Sequence, residues 1–211
     1  MIRRWCSDGL CRSTLAILLL TSSSAYAQGG SPASTGSGGS LQKGSVELGG
    51  IIGMTLPVTW LRAHSDRSIR MGSLDFGRIM THQRGPAPLA GQFEFLLEVT
   101  PLVVLQQPSR AFGVTASPLH MRWNFGSIPQ HRVRPFAEAS GGVILTSQPV
   151  PVGTTSFNFI DQAGFGVRFE NGTTRSWLVG YRFQHISNAG RVKPNPGANF
   201  NFVYVGVSFQ R

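Results

Sequence analysis

The sequence predicts an all-β protein: an eight-stranded antiparallel up-and-down β-barrel that crosses a membrane. Three observations support this prediction. Only 13% of the 211 residues are charged, about half the share found in an average soluble domain. Apolar and polar residues alternate with a period of two over most of the chain after residue 45, which indicates strands. The eight alternating segments are long, and a tilted membrane strand needs roughly 9 to 11 residues.

The first 27 residues have the organisation of a secretory signal peptide. Three arginines precede a short apolar run over 15–20, and an A-x-A sequence ends at Ala27. This order of basic, apolar and small residues is typical of an exported protein. Cleavage after Ala27 would remove the only two cysteines, Cys6 and Cys11, and would lower the net charge from +10 to +8.

Residues 28–44 are rich in glycine and serine and predict a flexible tail. The barrel is therefore predicted over residues 45–211. Alternation predicts strands over 46–54, 69–81, 92–105, 111–125 and 133–145, and three more around Phe165, Val179 and Val205.

The charged residues of these strands share the face opposite the aromatic and aliphatic face. They are Glu94, Glu98, Arg122, Glu138, Arg168, Glu170 and Arg182. Paired charges and small glycines can fill a narrow eight-stranded barrel, and an apolar outer face suits lipid. Since lipid cannot satisfy backbone hydrogen bonds, a sheet that spans a membrane must close.

The predicted links differ in length. Asn171-Gly172 marks a tight turn, and 127–132 is another short link. The links near 55–68, 146–155 and 188–198 are longer and would face the cell exterior if both chain ends are periplasmic. A soluble barrel or sandwich is the alternative, but it would carry more charge on its outer faces. Nucleic-acid binding is disfavoured because the basic residues are not clustered.

One segment carries candidate chemistry. His185 and Ser187 are two residues apart on the seventh strand, so their side chains share a face. A histidine beside a serine is the minimal pair for nucleophilic acyl transfer. Their parity is that of Trp177 and Tyr181, so they lie on the apolar face, where they could meet lipid esters. A histidine at the rim and a loop serine, without catalysis, would give the same H-x-S pattern.

The longer sequence H-I-S-N-A-G over 185–190, followed by P-N-P-G over 194–197, resembles the lipid A 3-O-deacylase family. These proteins are also called acyloxyacyl hydrolase-like outer-membrane proteins. The resemblance implies an eight-stranded barrel in the outer membrane of a Gram-negative bacterium. It implies removal of an ester-linked acyl chain from lipid A of lipopolysaccharide, with no metal or other cofactor. The specific match spans about 20 residues.

By this resemblance, Ser187 is the nucleophile and His185 the general base. Asn195, with the backbone near Gly190, would stabilise the oxyanion, and Asn188 is a further candidate.

The family's third catalytic residue is a glutamate on the last strand, and here that position is Asn199. Asparagine can orient a histidine but adds no charge. Asp161 is the alternative acid. If residues 171–173 form a three-residue turn, Asp161 lies near position 183, diagonal to His185, whereas a two-residue turn would put it on the wrong face.

The expected partners are lipid A and the outer membrane, with a homodimer possible. Arg191 and Lys193 flank the segment and would attract lipid A phosphates. Two other functions remain open: a non-catalytic structural or adhesive barrel of the same family, and a small channel. The remaining histidines show no metal-ligand spacing, and no site is assigned to them: His64, His82, His120 and His131.

Overall fold

The computed structural model describes residues 41–59, 61, 67–128, 131–172 and 174–211. The predicted signal peptide, most of the Gly/Ser-rich segment and His64 lie outside these residues. Eight strands follow one another along the chain: β1 (Val46–Thr55), β2 (Ser68–Ile79), β3 (Gly91–Gln107), β4 (Ser109–Phe125), β5 (Val133–Thr146), β6 (Phe157–Asn171), β7 (Arg175–Ser187) and β8 (Ala198–Gln210).

The strands form a closed antiparallel barrel in which each pairs with its sequence neighbours and β1 pairs with β8. This confirms the predicted fold, and most strand ends lie within two residues of the predicted ones. In the described residues there is no helix that is long and apolar enough to span a membrane. The β3–β4 hairpin is longer than predicted, because its two 17-residue strands run up to a tight connection at Pro108.

The two faces of the wall are sorted as the alternation predicts. Outward residues such as Trp177, Val179 and Val205 are about half exposed and apolar. Inward residues include Arg122 and Arg168, which are fully buried. The inward parity of the strand charges is therefore confirmed.

The interior has two layers. Towards the chain termini, carboxylates and guanidinium groups pair: Glu138 accepts hydrogen bonds from Arg182 Nε at 2.7 Å, Arg122 Nη2 at 3.0 Å and the Tyr204 hydroxyl at 2.6 Å. The other layer is apolar and includes Phe200. Side chains thus fill the barrel, as an eight-stranded barrel requires.

The links divide between two ends of the barrel. The end that carries 56–67, 147–156 and 188–197 is called the site end below, and the opposite one the terminal end. The terminal end carries 80–90, which is as long as the site-end links and was not among the longer links predicted. Part of the predicted flexible tail is ordered here, because Gln92 Nε2 donates to the Leu41 carbonyl at 2.7 Å.

Candidate functional site

The strand register pairs His185 on β7 with Asn199 on β8. Their side chains meet, with His185 Nδ1 2.6 Å from Asn199 Oδ1. Asn199 Nδ2 donates to the Leu61 carbonyl at 3.3 Å, which orients the amide. The amide oxygen therefore faces the imidazole, which requires the proton on Nδ1. His185 Nε2 is left with the lone pair that a general base uses.

Ser187 lies beyond His185 on the same outward face and is partly buried. In the described residues no hydrogen bond joins the two side chains. The imidazole nevertheless points along the barrel axis towards the position of Ser187. A methyl group at Gly197 would lie 2.7 Å from His185 Cε1 and 3.4 Å from Nε2. Gly197 comes one residue before Ala198, the partner of Ile186, which places it level with Ser187. Catalytic hydrogen bonds commonly form only with substrate bound.

Asp161 on β6 pairs directly with His185 and not with position 183, as the three-residue turn predicted. The link does have three residues, but the closing pair is Asn171 with Arg175, one residue later than the turn at 171–173 assumed. The Asp161 side chain is exposed on the outer face. His185 is therefore flanked by an amide on one side and a carboxylate on the other.

The 188–197 link is braced by its own asparagines. Asn188 is buried, its Nδ2 donates to the Val192 carbonyl at 2.8 Å and its Oδ1 accepts from Gly190 N at 2.9 Å. Its backbone N–H donates to Asn195 Oδ1 at 3.2 Å. The N–H of Gly190 and the amide of Asn188 are thus occupied within the link. Asn195 is exposed, and in the described residues its Nδ2 has no partner.

Two basic side chains extend from this link. The Arg191 guanidinium lies 5.4 Å from the centre of the Phe157 ring at the start of β6, a cation–π contact. Phe159, two residues along β6, is the cross-strand partner of Ser187. Arg191 is therefore held on the β6 side of the candidate site, and Lys193 is exposed further along the link.

Three features of the site end are absent from the sequence analysis. Asn201 Nδ2 donates to the Val58 carbonyl at 3.1 Å, parallel to the bond from Asn199 to Leu61, so both amides hold the 56–67 link against β8. Gly197 leaves room for the imidazole. Arg70 is a basic residue exposed on the apolar outer face of β2. Of these features, the asparagine contacts had a signal in the sequence: Asn199 and Asn201 are two residues apart and therefore share one face of the strand.

An apolar groove of about 820 Å³ runs down the outer wall across β7, β8, β1, β2 and β3. Its lining includes Ile52, Leu102, Val203 and Val205, and Arg70 stands beside it. Val203 follows Asn199 and Asn201 on the outward face of β8, so the groove continues along the same strand from the candidate site.

The sequence profile of the lipid A 3-O-deacylase (PagL) family matches residues 83–208, which covers more than half of the chain. The chain belongs to the lipid A 3-O-deacylase family. Members of this family are lipid A deacylases, a class of hydrolases. The match runs through β7, the 188–197 link and most of β8, and therefore includes the candidate site. No curated protein matches the chain.

The fold also resembles solved structures. The crystal structure of the outer membrane enzyme PagL is 21% identical, with a TM-score of 0.53, and the match covers 76% of this chain and 97% of that one. The N-terminal β-barrel domain of Pseudomonas aeruginosa OprF is 12% identical, with a TM-score of 0.45, and the match covers 80% of this chain and 98% of that one. The first likeness supports the barrel fold of this deacylase family member.

Proposed function

We propose that the protein is a serine esterase that removes the 3-O-linked acyl chain from lipid A in the outer leaflet of a Gram-negative outer membrane. The observation that carries this proposal is the hydrogen bond from His185 to Asn199 on the apolar outer face. It holds a histidine with its basic nitrogen turned towards the level of Ser187, on the surface that an ester of a membrane lipid can reach.

In the proposed reaction, Ser187 Oγ attacks the ester carbonyl carbon while His185 Nε2 takes the hydroxyl proton. The tetrahedral intermediate then collapses, the 3-oxygen of the sugar leaves, and the imidazolium returns its proton to that oxygen. Water, activated by the same imidazole, attacks the acyl-serine and releases the fatty acid. Asn195 Nδ2 is the candidate donor to the oxyanion, because Asn188 fixes its oxygen and leaves the nitrogen free to donate.

In a Ser-His-acid triad, one carboxylate both orients the histidine and stabilises its positive charge. In this site the two roles belong to different residues. Asn199 sets the ring orientation and the tautomer, and Asp161 contributes negative charge. Because Asp161 lies directly across from His185, its carboxylate is placed to stabilise the imidazolium that forms during attack. Residues directly opposite in a sheet have Cβ atoms about 4.5–5.5 Å apart.

The surroundings suit an anionic glycolipid. Arg191 and Lys193 provide positive charge at the site end, where lipid A phosphates would lie. The apolar groove below Asn199 is shaped to receive an acyl chain, and Arg70 lies beside it. Uncharged ester lipids would leave these basic groups without an anionic partner.

The decisive experiment compares Ser187→Ala with wild type by mass spectrometry of lipid A after expression in a Gram-negative host. Loss of the 3-O acyl chain is expected with wild type and not with the variant. Ser156→Ala is the matched control, because it makes the same change in another serine at the site end. Equal deacylation by wild type and Ser187→Ala would disprove the proposal.

A second function is favoured by Asn199 itself, because the family's glutamate is missing at this position. A non-catalytic structural or adhesive barrel would leave lipid A unchanged on deletion and on overexpression of the wild-type protein. The same mass spectra distinguish the two functions.

A further inference from the structure

We propose that the barrel interior binds a divalent transition-metal ion through Asp75, Glu98 and His120. These residues lie on the adjacent strands β2, β3 and β4, and Asp75 is the direct cross-strand partner of Glu98. One possible ligand atom from each residue lies within 4.8 Å of those from the other two. All three side chains are buried in the lumen, on the other side of the wall from the apolar outer face.

The charges of the lumen leave a negative excess. In the described residues the paired layer contains five buried carboxylates and three buried guanidinium groups: Glu47, Asp75, Glu94, Glu98 and Glu138 against Arg122, Arg168 and Arg182. A fourth buried arginine, Arg134, is matched by Glu170 at 2.8 Å at the terminal end. With neutral His120, two negative charges stay uncompensated, and one divalent cation balances them.

The guanidinium groups are all engaged by glutamates, which leaves Asp75 outside the pairing. Arg182 binds Glu98 at 2.6 Å and Glu138 at 2.7 Å. Arg168 binds Glu47 and lies 3.5 Å from Glu94. No arginine ion pair in the described residues reaches Asp75. A buried carboxylate without a counter-charge is strongly unfavourable, and coordination to a metal is one of the ordinary solutions.

The unsatisfied atoms of the lumen point to the same place. Both oxygens of Asp75 lack a hydrogen-bond partner in the described structure, although its side chain is 1% exposed. His120 Nδ1 also lacks one and lies 3.7 Å from Glu98 Oε2. His120 Nε2 is meanwhile held by Glu138 Oε2 at 3.2 Å. A carboxylate on the far nitrogen is how proteins orient metal-binding histidines.

The donor set selects the ion. One imidazole nitrogen and two carboxylates suit Zn²⁺, which prefers tetrahedral nitrogen and oxygen ligands at about 2.0–2.2 Å. Atoms around such an ion lie about 3.3 Å apart, so the most distant ligand atoms need to approach one another by up to about 1.5 Å. Glu98 Oε2, the oxygen that faces His120 Nδ1, also accepts from Arg182 Nη1 at 2.6 Å and keeps a second lone pair for the ion.

The test measures metal content of the full chain, refolded into detergent with Zn²⁺ and then dialysed. About one zinc per folded barrel is expected, together with a higher Tm than in a preparation refolded with EDTA. Asp75→Asn keeps the side-chain shape and should lower retained zinc at least tenfold, since a ligand is lost. His82→Gln is the matched control, because it removes an exposed histidine outside the cluster and should retain zinc.

Heat-dependent electrophoretic mobility verifies that each barrel is folded. Zinc content equal in Asp75→Asn and wild type would overturn the proposal. Wild type alone provides a second test, because Co²⁺ bound by these ligands gives visible d–d absorption. A folded wild-type barrel that neither retains zinc nor shows this absorption would mean that protons carry the balancing charge. Both outcomes are independent of lipid A deacylation.

Discussion

Asn199 is the residue that fixes the orientation of the candidate base. The Asn199 amide holds His185 in place through a 2.6 Å hydrogen bond, but it carries no charge. Orientation and charge stabilisation, which one glutamate would combine, are therefore separate properties in this site. Substitutions at this position and at Asp161 can measure each property separately.

Asn199→Glu should raise kcat. A hydrogen bond to a charged partner contributes about 1 kcal/mol more than a neutral one, so a rise of about fivefold is expected. Initial rates of fatty-acid release from purified lipid A in detergent measure it. Asn199→Gln, which adds the same length without charge, is the control and should not raise kcat.

Asp161→Asn should lower kcat by up to about fivefold, because a directly opposed pair of unlike charges contributes about 0.2–1 kcal/mol. The same change made in the Asn199→Glu background should cost less, since the new carboxylate then supplies the charge. The four rates form a double-mutant cycle. Strictly additive effects would show that Asp161 does not act through His185.

At the scale of elements, the 188–197 link and β8 give the site its shape. Asn188 braces the link from inside, and Asn199 and Asn201 hold the 56–67 link from the outer face. Gly197 closes the turn into β8 with φ +65°. These contacts join the 56–67 link to 188–201, which is far from it in sequence, and the pairing of His185 with Asn199 depends on the register of β7 and β8.

Gly197→Ala should lower kcat/KM at least about tenfold, because its methyl group would lie 2.7 Å from His185 Cε1 and displacement of a catalytic group by an ångström can cost far more. Gly153→Ala is the matched control. Gly153 also has positive φ, +81°, on a site-end link, but has nothing within 4 Å of the added methyl. Equal losses in the two variants would assign the effect to backbone strain alone.

At the scale of the whole molecule, the paired charges of the lumen connect most of the strands. Glu138 on β5 binds Arg122 on β4, Arg182 on β7 and Tyr204 on β8. Glu138→Gln should lower the free energy of unfolding by about 3–5 kcal/mol, because it removes the charged acceptor that two buried guanidinium groups and the Tyr204 hydroxyl share. Urea unfolding in detergent measures it. Glu170→Gln breaks the single ion pair with Arg134 at the terminal end and should lower the free energy of unfolding less, because only one guanidinium group loses its partner.

Much of this molecule could be predicted from the sequence because alternation has a strict period of two. The alternation of side chains along each strand was enough to predict that Glu138 and Arg182 point into the barrel and that His185 points outwards. The cross-strand partner of Asp161 could not be predicted. The β6–β7 turn is closed by Asn171 and Arg175, one residue later on each strand than expected. This shift moves the partner of every β6 residue by two positions along β7. The lumen cluster was also missed, since the spacing of Asp75, Glu98 and His120 has no motif. The pairing register of β2, β3 and β4 brings them together.

The long β3–β4 hairpin makes the barrel unequal around its circumference. β4 begins four residues before Gly113, which ends the ladder with β5 by pairing with Thr146, a distance on the order of 13 Å. The candidate site lies on β7 and β8, about half a turn away around the wall. With the site end outwards, the protein has a front and a back in the plane of the membrane. In that orientation the hairpin extends on the side of the barrel opposite the candidate site and leaves the β7–β8 side clear of it.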